Sequence, residues 1–145
     1  ENASKLLSLW ADRELIVQKI FKSNELWALE ITRLTLSRIK YNKKTIYSYI
    51  TQEEINDAWV EKSVKELVYW IFRTVKWFEN YVMLIDMWDY IKGSISNTKW
   101  LSSDIAANLG WWWHTWRAWF KVPKNPDEDT QEKIQEIIKT ISEYK

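Results

Sequence analysis

His114 is the one histidine of the chain, so a Ser-His-acid relay would depend on it alone and a two-histidine zinc site is excluded. It lies in the run Gly110-Trp111-Trp112-Trp113-His114-Thr115-Trp116-Arg117, with Ser102, Ser103 and Thr115 as the hydroxyls nearest in sequence. No nucleophile elbow or glycine-rich oxyanion loop accompanies them, and such a loop is what aims a hydroxyl at a carbonyl. Carboxylates come in pairs, Glu53/Glu54, Asp86/Asp89 and Asp127/Asp129, at positions where helix starts and solvated faces ordinarily place them. The Glu-x-x-His pairs of a di-iron bundle, a phosphate loop, a dinucleotide fingerprint and an EF-hand loop are all missing from the sequence. The chain has no cysteine, which removes thiolate ligands and thiol nucleophiles. These residues predict a non-enzymatic protein without metal or cofactor.

Binding chemistry is better represented. Arg33, Arg38, Lys40, Lys43 and Lys44 follow one another with no acidic residue between Glu30 and Glu53, and Tyr41, Tyr47 and Tyr49 are interleaved with them or follow closely. A helix C-terminus complemented by positive charge explains the run; contact with nucleic-acid phosphates over segment 33–44, supported by aromatic rings, is the alternative. The net charge of +1 argues against wholesale coating of nucleic acid. Residues 1–50 nevertheless carry nine basic side chains against five acidic, and residues 51–145 carry twelve against fifteen.

The twelve tryptophans point to contact surfaces. If 51–92 is one helix, Trp59, Trp70, Trp77 and Trp88, spaced 11, 7 and 11 residues apart, share a stripe beside an aliphatic face of Val60, Val64, Leu67, Val68, Ile71, Val75, Phe78, Val82 and Ile85. If 102–120 is another, Trp112, Trp113, Trp116 and Trp119 turn inward and Trp111 is left on a polar-to-small surface. The stripe and the aliphatic face together make one wide core face of a helix touching two neighbours; the alternative, since tryptophan is enriched at interface anchors, is that Trp111, Trp59, Trp70, Trp77 and Trp88 anchor a protein interface.

The elements that would carry these residues read as helices. Two glycines and two prolines in 145 residues leave little turn chemistry for a many-stranded fold, and the length fits one domain, 1–145. The expected fold is all-α: a four-helix bundle with long helices over about 4–41, with a break near residue 23, and 51–92, and shorter ones over about 102–120 and 126–144. Thr51 and Glu54 form a capping box, Gly93 follows the last turn of the second helix, Ser102 or Ser103 caps the third, and Asn125-Pro126 opens the fourth. Ile134, Ile137, Ile138, Ile141 and Tyr144 give that last helix one apolar face. No run of eighteen apolar residues occurs, so no transmembrane insertion is expected. The missing cysteine fits a cytoplasmic protein, the first residue, Glu1, fits a processed terminus, and the acceptor pattern Asn2-Ala3-Ser4 leaves secretion open.

The leading functional expectation is an interaction protein that self-associates as a coat or scaffold, forming a homo-oligomer, or docks on and inhibits a larger machine. In style its long helices and Ile/Lys/Trp/Tyr-rich composition resemble small helical proteins of viruses of thermophilic archaea, which would place it in a virion or host cytoplasm. Asp104–Tyr144, through Ile105, Leu109 and Trp116 and then Ile134, Ile138 and Ile141, faintly resembles the last two helices of TetR-type regulators. That resemblance implies a sensor with a Trp-lined pocket for an apolar small molecule.

Overall fold

The structure, a computed structural model, describes residues 26–57, 74–110 and 117–144. It is an α/β fold, and the all-α expectation is overturned by a five-stranded mixed sheet in the order β1-β2-β3-β4-β5. In chain order the elements are α1 (Leu26–Ser37), β1 (Lys40–Asn42), β2 (Thr45–Thr51), α2 (Gln52–Asp57), β3 (Asn80–Asp86), β4 (Tyr90–Asn97), α3 (Ser102–Asn108), β5 (Arg117–Pro123) and α4 (Thr130–Glu143). Strands β2 and β3 pair in parallel, and the other neighbours are antiparallel.

Each long predicted helix is cut by β-forming sequence. The first ends at Ser37, where Arg38 N donates to Thr35 O at 3.2 Å and Ile39 N to Leu36 O at 3.3 Å, tightening the last turn. Thr45-Ile46-Tyr47-Ser48-Tyr49-Ile50-Thr51 is rich in β-branched and aromatic residues and pairs on both sides as β2. The second expected helix survives only as α2. Its Thr51 and Glu54 do make the reciprocal cap: Glu54 N donates to Thr51 Oγ1 at 3.2 Å and Thr51 N to Glu54 Oε2 at 2.9 Å. Beyond it, Asn80–Ile85 is buried throughout as the central strand β3, because an interior strand covered on both faces reads as a continuous apolar run. Gly93 is no helix cap but a residue of β4 opposite Phe120, whose ring lies where a side chain would be: a Cβ on Gly93 would overlap the Phe120 ring. The third helix stops at Asn108, and Arg117–Pro123 alternates buried Ala118 and Phe120 with exposed Trp119 and Lys121 as edge strand β5. The fourth helix starts at Thr130, capped by Asp129, whose carboxylate accepts from Gln131 N at 2.7 Å and Glu132 N at 3.0 Å, in place of the expected start at Asn125.

Two cores flank the sheet. On one face Val82, Leu84, Ile91, Ile95, Ala118 and Phe120 pack with Ile105 of α3 and Ile134, Ile137, Ile138 and Ile141 of α4. On the other, Ile46, Ile50, Tyr81, Met83 and Ile85 pack with Ile31 of α1 and Ile55 of α2. That second core lies over β2 and β3, while its continuation across β4 and β5 carries polar residues.

Candidate functional site

In β4 and β5 the side chains directed away from α3 and α4 are Lys92, Ser94 and Ser96 and Arg117, Trp119 and Lys121, by the two-residue alternation of a strand. The register sets Lys92 opposite Lys121, Ser94 opposite Trp119 and Ser96 opposite Arg117. Two lysines directly opposite on neighbouring strands repel, since their Cβ atoms stand roughly 5 Å apart. Each leans instead on an aromatic ring: Lys92 Nζ lies 5.9 Å from the Trp119 ring centroid and Lys121 Nζ 4.8 Å from that of Tyr90. Arg117 Nε donates a long bond, 3.4 Å, to Ser94 Oγ. Neither strand places an acidic residue on this face. The result is a surface of three cations with the half-buried Ser94 hydroxyl among them and Ser96 buried beneath, chemistry that suits an anion with several oxygens.

The β3 end beside this face is held by a buried ion pair on the opposite side of the sheet. Lys124 Nζ donates to Asp86 Oδ1 at 2.7 Å and Oδ2 at 2.8 Å, with side-chain exposures of 7% and 12%. Thr130 Oγ1 donates to Asp86 Oδ2 at 2.5 Å and accepts from Lys124 at 3.0 Å. Burial pushes the Asp86 carboxyl up, but hydrogen bonds from Lys124, Thr130 and the Trp88 backbone outweigh it and hold the group below its ordinary range.

The basic segment singled out in the sequence is spread over several partners. Arg33 pairs with Glu30 at 2.9 Å. Arg38 forks onto Glu54 at 2.8 and 2.6 Å and lies 5.1 Å from the Tyr49 ring centroid. Burial raises the Glu54 pKa, and the Arg38 and Thr51 hydrogen bonds more than reverse it. Lys40 reaches Gln131 Oε1 at 3.5 Å, Lys43 reaches Glu143 at 3.5 Å, and Lys44 binds Glu79, which also holds Lys99 at 2.8 Å. Arg38 thus serves α2, while Lys40 and Lys43 face α4 across the sheet. Of the predicted interface tryptophans, Trp77 lies in the approach to β3 and Trp88 in the β3–β4 hairpin, so they share no helical stripe. Trp59, Trp70, Trp111 and His114 lie outside the described residues. The cationic face on β4 and β5 was missed in the sequence, although Lys-x-Ser-x-Ser and Arg-x-Trp-x-Lys carry its two-residue period. Among the described residues no group of three His, Cys, Asp or Glu is placed to hold a metal ion, and no helix is long and apolar enough to cross a membrane.

No protein-family model matches the chain, and no curated protein matches it. Among solved structures it is similar to an exopolyphosphatase-related protein from Bacteroides fragilis, at 20% identity and a TM-score of 0.76 over 98% of this chain and 42% of that one. It is also similar to the pGpG-specific phosphodiesterase PggH from Vibrio cholerae, at 10% identity and a TM-score of 0.51 over 79% of this chain and 38% of that one. The chain therefore spans about two fifths of each neighbour's length. At these identities the likeness is one of fold. The α/β fold that the chain shares with them overturns the reading as a non-enzymatic helix-bundle protein, and with it the coat or scaffold, docking inhibitor, TetR-type sensor and nucleic-acid-contacting bundle, all of which were built on an all-α bundle. It lends no support to a viral origin.

Proposed function

We propose that this chain is the substrate-holding portion of a phosphoester hydrolase, with the β4–β5 face binding the phosphoryl groups of a polyanionic substrate. The observation that carries the reading is the pairing of Lys92 with Lys121 across two strands, flanked by Arg117 and by the hydroxyl of Ser94, in a fold similar to an exopolyphosphatase-related protein and a phosphodiesterase. A phosphate seated between the lysines accepts charge-assisted hydrogen bonds, and a guanidinium can take two of its oxygens at once. Cleavage of such a substrate is transfer of the phosphoryl group to water. On this reading these residues neutralise and orient the phosphate for that transfer. The ligand partner is thus a phosphorylated small molecule or short phosphate polymer.

Calorimetric titration with inorganic tripolyphosphate and with the dinucleotide pGpG tests this. Saturable binding that weakens with salt is expected, falling roughly tenfold or more for each of Lys92→Gln and Lys121→Gln. No saturable heat with either ligand at low salt, or unchanged affinity in the double variant, sinks the reading.

A further inference from the structure

Three of the four non-glycine residues with positive φ among those described are tryptophans: Trp77 at 81°, Trp88 at 76° and Trp100 at 66°. Glycine is the default residue in such backbone, and a bulky side chain there is an outlier. The surrounding hydrogen bonds define each turn. Met87 N donates to Tyr90 O at 2.9 Å and Trp88 N to Asp86 Oδ1 at 3.1 Å, closing the β3–β4 hairpin. Trp100 N donates to Asn97 O at 3.3 Å, while Asn97 Oδ1 accepts from Lys99 N at 2.7 Å and Leu101 N at 3.3 Å. Just after Trp77, Glu79 N and Asn80 N both donate to Lys44 O, at 2.8 and 3.1 Å. The indoles gain little from these placements, being 94%, 65% and 64% exposed at positions 77, 88 and 100, whereas a tryptophan ordinarily contributes by burying its ring. Composition runs the same way: the chain has two glycines and twelve tryptophans, where average usage gives about ten glycines in this length.

We infer that positions 77, 88 and 100 are glycine in the protein made by its own cells, encoded there by UGA. This triplet is a stop signal in the standard code, tryptophan in some translation systems and glycine in others. One reassigned triplet exchanges the two residues wherever it occurs, so the shortage of glycine, the surplus of tryptophan and the positive φ angles have a single cause. The three exposed indoles then vanish from the surface, and the turns acquire the residue their backbone requires.

Mass spectrometry of tryptic peptides from the native-source protein decides the matter. Peptide 77–92 holds two of the positions and peptide 100–117 the third; fragment ions are expected to carry glycine masses at 77, 88 and 100. Tryptophan masses there, or UGG triplets in the gene, overturn the inference. In the chain as written, Trp77→Gly and Trp88→Gly are each expected to raise the folding equilibrium constant about fivefold, whereas alanine, which keeps its Cβ, gives no such gain. Equal gains from alanine and glycine would also overturn it, by showing that removal of an exposed indole and not the backbone is what matters.

Discussion

Lys124 and Asp86, 38 residues apart in sequence, meet at 2.7 Å with both side chains nearly buried, and Thr130 bridges them. The pair joins the end of β3 to the entry of α4, so one contact sets the position of a helix on the sheet. Asp86→Asn leaves a buried ammonium without its counter-charge and is expected to cost about 3 kcal/mol. Thr130→Val, which removes a single shared hydroxyl, is expected to cost about 1 kcal/mol. Urea unfolding followed by circular dichroism measures both, and equal small effects would show that the charge is not isolated.

Acid should unfold the protein through the same carboxyl. Asp86 and Glu54 both titrate below their ordinary values when folded, so the folded state binds fewer protons than the unfolded chain as pH falls. Their contribution is complete above the unfolded carboxylate range, about pH 4, and is lost as pH drops through the lower folded values. The urea midpoint is therefore expected to be flat from about pH 7 to 5 with respect to these groups and to fall below about pH 4. Asp86→Asn is expected to make that acid limb shallower. An unchanged limb in the variant would remove Asp86 from the explanation.

Gly93 and Phe120 form one packing unit. Gly93→Ala forces the Phe120 ring out of the core and is expected to cost about 1–3 kcal/mol. Because the clash is with a single ring, Phe120→Leu should absorb part of that cost, giving a coupling of at least 0.5 kcal/mol or so in a double-mutant cycle. Additive effects would mean that the ring moves aside freely.

Asn97 joins β4 to the loop leading into α3. Its amide donates to Asn80 Oδ1 at 2.6 Å, Asn80 Nδ2 donates onward to Thr45 Oγ1 at 3.1 Å, and Asn97 N donates to Ser102 Oγ at 2.9 Å. Asn97→Ala strips an acceptor from two backbone N–H groups and a donor from a buried carbonyl, a loss of about 3 kcal/mol. Hydrogen exchange is expected to quicken first at Lys99 and Leu101. Protection left intact at both would show that water replaces the side chain.

The sequence displayed local chemistry better than architecture. The isoleucine face of α4 and the Thr51–Glu54 cap depend on neighbours three and four residues apart, and both were legible. β3 was not, because a run buried on both sides lacks the alternation that separates a strand from a helix. The β3–β4 hairpin turns through Met87-Trp88-Asp89 without glycine or proline, the punctuation by which a reversal is normally recognised. With that turn unmarked, 51–92 read as one helix and four tryptophans fell into a false stripe. The cationic face shows the same loss: Lys92 and Lys121 are neighbours only through strand register, which no single segment reveals.

The parallel pairing of β2 with β3 also has a consequence in time. Asp86 and Ile91 are cross-strand partners only five residues apart, whereas Thr45 and Asn80, equally partners, are separated by 35. Closing the longer loop costs more chain entropy before any contact rewards it. The β3–β4 hairpin is therefore expected to assemble before β2 docks along β3, the step that closes the longer loop.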